Sequence, residues 1–159
     1  MKRKAFLSVI IGAAVLSGVL DCHAEKWDRN DYKDNGIKLG FYDADSIKVH
    51  GKTVSWTEKY VFTKESADNI TASLSKFPAC RQNVESKGKI SESQVDYQIE
   101  KDKIRGVSKR YYNKSNAVIC TDKDLGKGDF SRSWNKIERH TPTEKAYYDL
   151  VTKYHISLK

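Results

Sequence analysis

The sequence predicts an α+β domain: an antiparallel sheet of about five or six strands with a C-terminal helix packed on it. Residues 53–63, TVSWTEKYVFT, alternate in character. Val54, Trp56, Tyr60 and Phe62 share one parity, with Glu58 the exception among them, and Ser55, Thr57 and Lys59 fill the other. Residues 142–154 instead repeat apolar side chains at helical spacing, through Ala146, Tyr147, Leu150, Val151 and Tyr154. Three Trp and nine Tyr supply an aromatic core that suits packing across strands.

The first 24 residues read as a secretory signal. Met1-Lys2-Arg3-Lys4 is a basic start, and Ala5 to Leu20 is apolar. Cys22 and Ala24 supply the small residues of a cleavage site before Glu25. The apolar run is shorter than the ~20 residues a spanning helix needs, so no transmembrane span is expected in the mature chain. The rival reading is a lipoprotein signal with Cys22 acylated. Asp21 stands where that signal wants a small residue, which favours cleavage after Ala24. Either way the chain is exported through the inner membrane, to the periplasm, the medium or the outer-membrane surface.

Residues 25–159 then form one domain. A net charge of +8 on 159 residues, two prolines and nine glycines exclude collagen-like and Pro-rich disordered classes. Residues 25–36 are polar around Trp27 and Tyr32, and read as a loose arm or as an edge strand fixed by Trp27. Lys38 to Tyr42 is a short strand, Asp43-Ala44-Asp45 a turn, and Ser46 to His50 a second extended piece. His50-Gly51-Lys52 is the hairpin loop into the strand from Thr53. Ser66 to Phe77 is a helix capped by Ser66, with Ile70, Leu74 and Phe77 on one face and Pro78 as its stop. Gln82 to Ser91 reads as a loop.

Gln94 to Glu100, Ile104 to Tyr112 and Ala117 to Cys120 form a meander. Its turns are Lys101-Asp102-Lys103 and Asn113 to Asn116, and Gly106 marks a bulge. Asp122 to Ser133 is a loop, and Trp134 and Ile137 are apolar islands. Thr141-Pro142-Thr143-Glu144 is a capping box for the last helix.

Cys80 and Cys120 are the even pair that remains after the signal, and in an oxidising compartment they read as a disulfide. Closing a loop of about 40 residues is worth on the order of 4 kcal/mol, as an upper guide. Neither lies in a CxxC or beside a histidine, which argues against a reactive or metal-bound pair.

The order of signals resembles the surface-adhesin protein E family of small exported bacterial proteins. The residues that carry it are Trp27, Phe41-Tyr42-Asp43, Ser46-Ile47, Gly51, Val54-Ser55-Trp56, Tyr97 with Ile99, and Ile104-Arg105. Tyr111-Tyr112-Asn113, Trp134, Ile137, Thr141 and Tyr147-Tyr148 complete the series. The match runs from about Trp27 to Tyr154. Members often carry one cysteine just after the meander's first strand and another in the C-terminal helix. Here Glu100-Lys101 and Tyr154 stand near those places. The resemblance implies a sheet with a helix, no enzyme activity, and adhesion to host proteins.

The chemistry readable from the residues is sparse. His50, His140 and His155 have no second ligand at metal spacing, so no metal or cofactor is expected, and no catalytic residue is assigned. Lys101, Lys103, Arg105, Lys109 and Arg110 cluster on one hairpin, with Arg105, Val107 and Lys109 expected on one face. Interleaved with Tyr111 and Tyr112, they form a candidate surface for a polyanion or protein partner. The bland alternative is a solvated face whose charges discourage edge pairing. Arg132, Lys136, Arg139 and His140 form a second basic run. Of the tryptophans, Trp27 has the most polar surroundings and is the best placed for exposure.

The function expected is an exported non-enzymatic binding protein, with an exposed edge strand that would suit a homodimer. The second reading is a soluble periplasmic or secreted polyanion-binding or inhibitor protein. The third is a small ribonuclease-like hydrolase built on His50 and His140.

Overall fold

The computed structural model describes residues 27–30, 36–125, 132–137, 142–153 and 155–156. The expected signal segment with Cys22, the residues Arg139 and His140, and the expected cap at Thr141 lie outside the described residues. Among the described residues, seven strands form one antiparallel sheet: β1 (Trp27–Asn30), β2 (Ile37–His50), β3 (Thr53–Phe62), β4 (Glu92–Glu100), β5 (Lys103–Tyr112), β6 (Val118–Thr121) and β7 (Asn135–Lys136). They lie in chain order from β1 to β6, and β7 pairs with the start of β5. The helices are α1 (Lys64–Leu74), α2 (Pro78–Lys87) and α3 (Pro142–Lys153). The expected α+β architecture with a C-terminal helix on the sheet is therefore what the chain forms.

Strand β2 merges the two expected short strands. Between Asp43, which pairs with Thr57, and Lys48, which pairs with Ser55, it carries three more residues than β3 does. The expected turn at Asp43-Ala44-Asp45 survives as this bulge. The Asp43 carboxylate accepts from Asp45 N at 3.1 Å, and the Ser46 hydroxyl donates to the Asp43 carbonyl at 2.7 Å. Ser46 Oγ also accepts from Thr57 N at 2.8 Å. The side chain thus stands in for a ladder carbonyl, and the strand continues. Gly51 and Lys52 alone form the hairpin loop, with Gly51 at φ +60°. The Gly106 bulge is also present: Tyr97 pairs with Gly106 but Asp96 with Ser108, leaving Val107 as the extra residue.

One sheet face carries the core, in two clusters. At the β2–β3 hairpin end, Tyr42, Val54, Trp56 and Ile99 pack on Leu150 of α3 and on Ile156. At the opposite end, Tyr111, Ile119 and Cys120 pack on Leu74 of α1 and Cys80 of α2, with Phe62, Ile70, Phe77 and Val84 around them. Each such fully buried side chain contributes on the order of 2 kcal/mol.

Two helix expectations are corrected. The cap of α1 is Thr63, whose side chain accepts from Ser66 N at 3.3 Å, so Ser66 lies inside the first turn. Pro78 starts α2 at its first turn, where no N–H is needed, and 82–87 is helical where a loop was expected. That helix has a weak apolar face, and its anchors are distant in sequence. The Cys80–Cys120 disulfide ties it to β6, with Cα atoms 4.9 Å apart. Asn83 Nδ2 donates to the Ile119 carbonyl at 3.1 Å and Lys87 Nζ to the Val118 carbonyl at 3.3 Å. These bonds cover the backbone of the edge strand. No helix among the described residues is long and apolar enough to cross a membrane.

Candidate binding surfaces

Glu58 sits on the core face between the two clusters, paired across β3 with Tyr42 and Val95. It is only 4% exposed. Trp56 Nε1 donates to Oε1 at 2.8 Å, and the Tyr60 hydroxyl donates to Oε2. Burial pushes the carboxyl up to about 7, against the two hydrogen bonds, which pull it down. The Tyr60 hydroxyl is held well above its usual range by burial, then by the charge of Glu58 and by Tyr97 beside it. Alternation placed Glu58 on this face. What it could not show is that Trp56 and Tyr60, two residues away on either side, supply its partners. Neither of the two large clefts described below is lined by Glu58.

The other face of the sheet is polar and aromatic. Pairing and alternation place Trp27, Phe41, Asp43, Thr57, Lys59, Gln94, Asp96, Gln98, Arg105, Ser108 and Arg110 on it, and none of them is fully buried. Lys59 Nζ lies 4.2 Å from the ring centre of Trp27 and 5.2 Å from that of Phe41. The Arg105 guanidinium lies 4.6 Å from the ring centre of Trp134 and donates twice to Gln98 Oε1, at 3.0 and 2.7 Å. In the middle, Asp96 accepts from Thr57 Oγ1 at 2.8 Å, from Arg110 at 2.8 Å and from the Ser108 hydroxyl. A cleft of about 650 Å³ opens beside this network, under the β2 bulge, lined by Asp43, Asp45, Ser46, Lys48, Ser55 and Gln98 among others.

The five basic residues of the predicted cluster do not share a surface. The extra residue at Val107 shifts the parity of β5, so Arg105 and Arg110 face one way and Lys109 the other. Lys109 lies over the Tyr111 ring on the core side, at 4.9 Å. Lys101 and Lys103 are exposed at the β4–β5 turn, at one end. Of the second basic run, Arg132 pairs with the buried Asp122 carboxylate and Lys136 is exposed in β7. Trp27 is half-buried in β1, so residues 27–30 of its segment form an edge strand, and 25–26 and 31–35 lie outside the described residues.

Sequence reasoning missed a second cleft, of about 760 Å³, at the α1 and α2 end of the sheet. Lys38, Lys64, Lys87, Lys89 and Lys114 line it, with Asp68 and Glu92. Of the five lysines only Lys87 and Lys89 are close in sequence, so no local run of positive charge announces it.

Among the described residues, the only group spaced to hold a metal is Cys80, Cys120 and Asp124, and its two sulfurs are bonded to each other. His50 is exposed where β2 ends, and His155 is exposed after α3. Neither lines either cleft.

These features define a disulfide-linked antiparallel sheet with helices on one face and, among the described residues, no helix on the other, polar-aromatic face. No family model, no curated protein and no solved structure matches the chain.

Proposed function

We propose that this chain is an exported, non-enzymatic binding protein that meets a protein partner on the uncovered face of its sheet, in the manner of the surface adhesins its sequence resembles. The observation that carries the proposal is that all three helices pack on one face. The other face, among the described residues, carries no helix and presents Trp27, Phe41 and Trp134 with Lys59, Arg105 and Arg110 between them. Tryptophan and arginine are the residue types that most often dominate protein–protein binding energy. Asp43, Asp96 and Glu100 offset the cations on this face, which favours a protein over a polyanion there.

The Cys80–Cys120 bond fits an oxidising compartment and supports export by the N-terminal segment, with cleavage before Glu25. The proposal is tested by saturation binding of the chain from Glu25 to immobilised, solubilised host extracellular proteins. Trp134→Ala and Arg105→Ala together should weaken binding at least tenfold while the thermal melt stays within a few degrees. Absence of saturable binding, or equal binding by the double variant, would overturn it.

A second reading, binding of a polyanion, is favoured by one separate observation: the lysine-lined cleft at the far end of the sheet.

A further inference from the structure

We propose that the lysine cleft is a binding site for a polysaccharide bearing clustered sulfate or phosphate groups. Four separate segments bring five ammonium groups to it. Lys38 comes from β2, Lys64 opens α1, Lys87 closes α2, Lys89 follows it, and Lys114 lies in the β5–β6 turn. All five are exposed. Against them stand two carboxylates. Lys89 Nζ donates to Asp68 at 2.8 Å, and that bond, with the more distant charge of Lys64, holds the Asp68 carboxyl below its usual range. Lys38, Lys64 and Lys114 make no ion pair among the described residues. A cleft with this surplus of positive charge attracts anions, and its concave shape concentrates the field.

The residue types select the ligand. The lining holds no arginine, so nothing is arranged for the planar two-point contact of a guanidinium; ammonium groups act as point charges on tetrahedral oxyanions. Its one aromatic residue, Phe62, packs into the α1–α2 core. A nucleobase would therefore find no exposed ring to stack on, which disfavours single-stranded nucleic acid. Polar groups at the rim, Ser91, Ser115 and Glu92, suit the hydroxyls of a sugar chain. The volume exceeds what one sulfate or phosphate ion would fill, which fits a stretch of polymer.

The site is distinct from the sheet face proposed above, and the two fail separately. The experiment is calorimetric titration of the chain from Glu25 with three size-matched probes. These are a sulfated heparin oligosaccharide, a phosphorylated oligosaccharide from a lipopolysaccharide core, and a DNA oligonucleotide. The cleft variant is Lys38→Gln, Lys64→Gln and Lys114→Gln together. The control, Lys101→Gln, Lys103→Gln and Lys136→Gln, removes the same charge at the other end of the sheet. All six positions are exposed, and thermal melts check that both variants fold.

The proposal expects one saccharide probe to bind with an affinity that falls steeply with salt. The cleft variant should lose at least tenfold, the control less than threefold, and the Trp134→Ala, Arg105→Ala variant should bind as the parent does. Preference for the sulfated probe assigns a host-matrix ligand, and preference for the phosphorylated probe assigns an envelope ligand; both support the site. Equal losses in the two lysine variants, no binding of either saccharide, or tighter binding of the DNA would overturn it.

Discussion

The indole N–H of Trp56 is bonded to the carboxyl of Glu58, its second neighbour along β3, at 2.8 Å inside the sheet. Side chains two apart on a strand share a face, so a buried acid can take its partner from its own strand. Tyr60 completes the pair from the other side. Glu58 is thus satisfied by hydrogen bonds from two neutral donors, and burial without a cation is what raises its carboxyl to about 7.

That carboxyl gives stability a pH dependence of defined sign. Below about 4.5 it is protonated in both the folded and unfolded chain. As pH rises from 4.5 to about 7 the unfolded chain releases the proton and the folded chain keeps it, so stability falls. Above about 7 the loss is complete, on the order of 3 kcal/mol. Glu58→Gln has no such proton. Urea unfolding across this range should show the variant gaining on the parent as pH rises; parallel curves would contradict the assignment.

The Cys80–Cys120 bond closes a 40-residue separation that contains most of α2 and all of β4 and β5. Replacing both cysteines with Ala should cost up to about 4 kcal/mol. Because α2 has little apolar surface of its own, its amides should lose hydrogen-exchange protection first, before those of β3. Uniform loss across the sheet would show that α2 does not depend on the bond.

Gly36, at φ +96°, accepts from Thr63 N at 2.9 Å and lies against Ser66, where a Cβ would meet the Ser66 hydroxyl. Gly36→Ala should cost about 1–3 kcal/mol from strain at positive φ. Adding Ser66→Ala should restore part of this by removing the clash. Thr63→Ala should cost about 1 kcal/mol as loss of the α1 cap. Denaturant midpoints of the four chains test the set, and no recovery in the double variant would exclude the clash.

Ser93 is 1% exposed and its hydroxyl has no hydrogen-bond partner among the described residues. Ser93→Ala removes a desolvated group without leaving another unmatched. The expected result is unchanged stability or a gain of up to about 1 kcal/mol in urea unfolding. A loss above that would reveal a partner.

The strands were legible because their signals are local. Val54, Trp56 and Phe62 alternate with polar residues, and Gly51 and Gly106 mark a hairpin and a bulge where they fall. Helix α2 was not legible. What fixes it is Cys120, Ile119 and Val118, more than thirty residues away. The expectation that Arg105, Val107 and Lys109 share a face is corrected for a similar reason. Gly106 signalled the bulge, but its consequence is that Arg105 and Lys109 part company, and that depends on the pairing with β4. The lysine cleft gathers residues from Lys38 to Lys114 and is visible only once the sheet is assembled.

Export would carry the chain into a compartment where Cys80 and Cys120 join. The direct measurement is the intact mass of the protein recovered from its native cells, before and after reduction. The expected result is a chain beginning at Glu25 that gains the mass of two hydrogens on reduction. A chain beginning at Met1, with Cys80 and Cys120 already reduced, would contradict it.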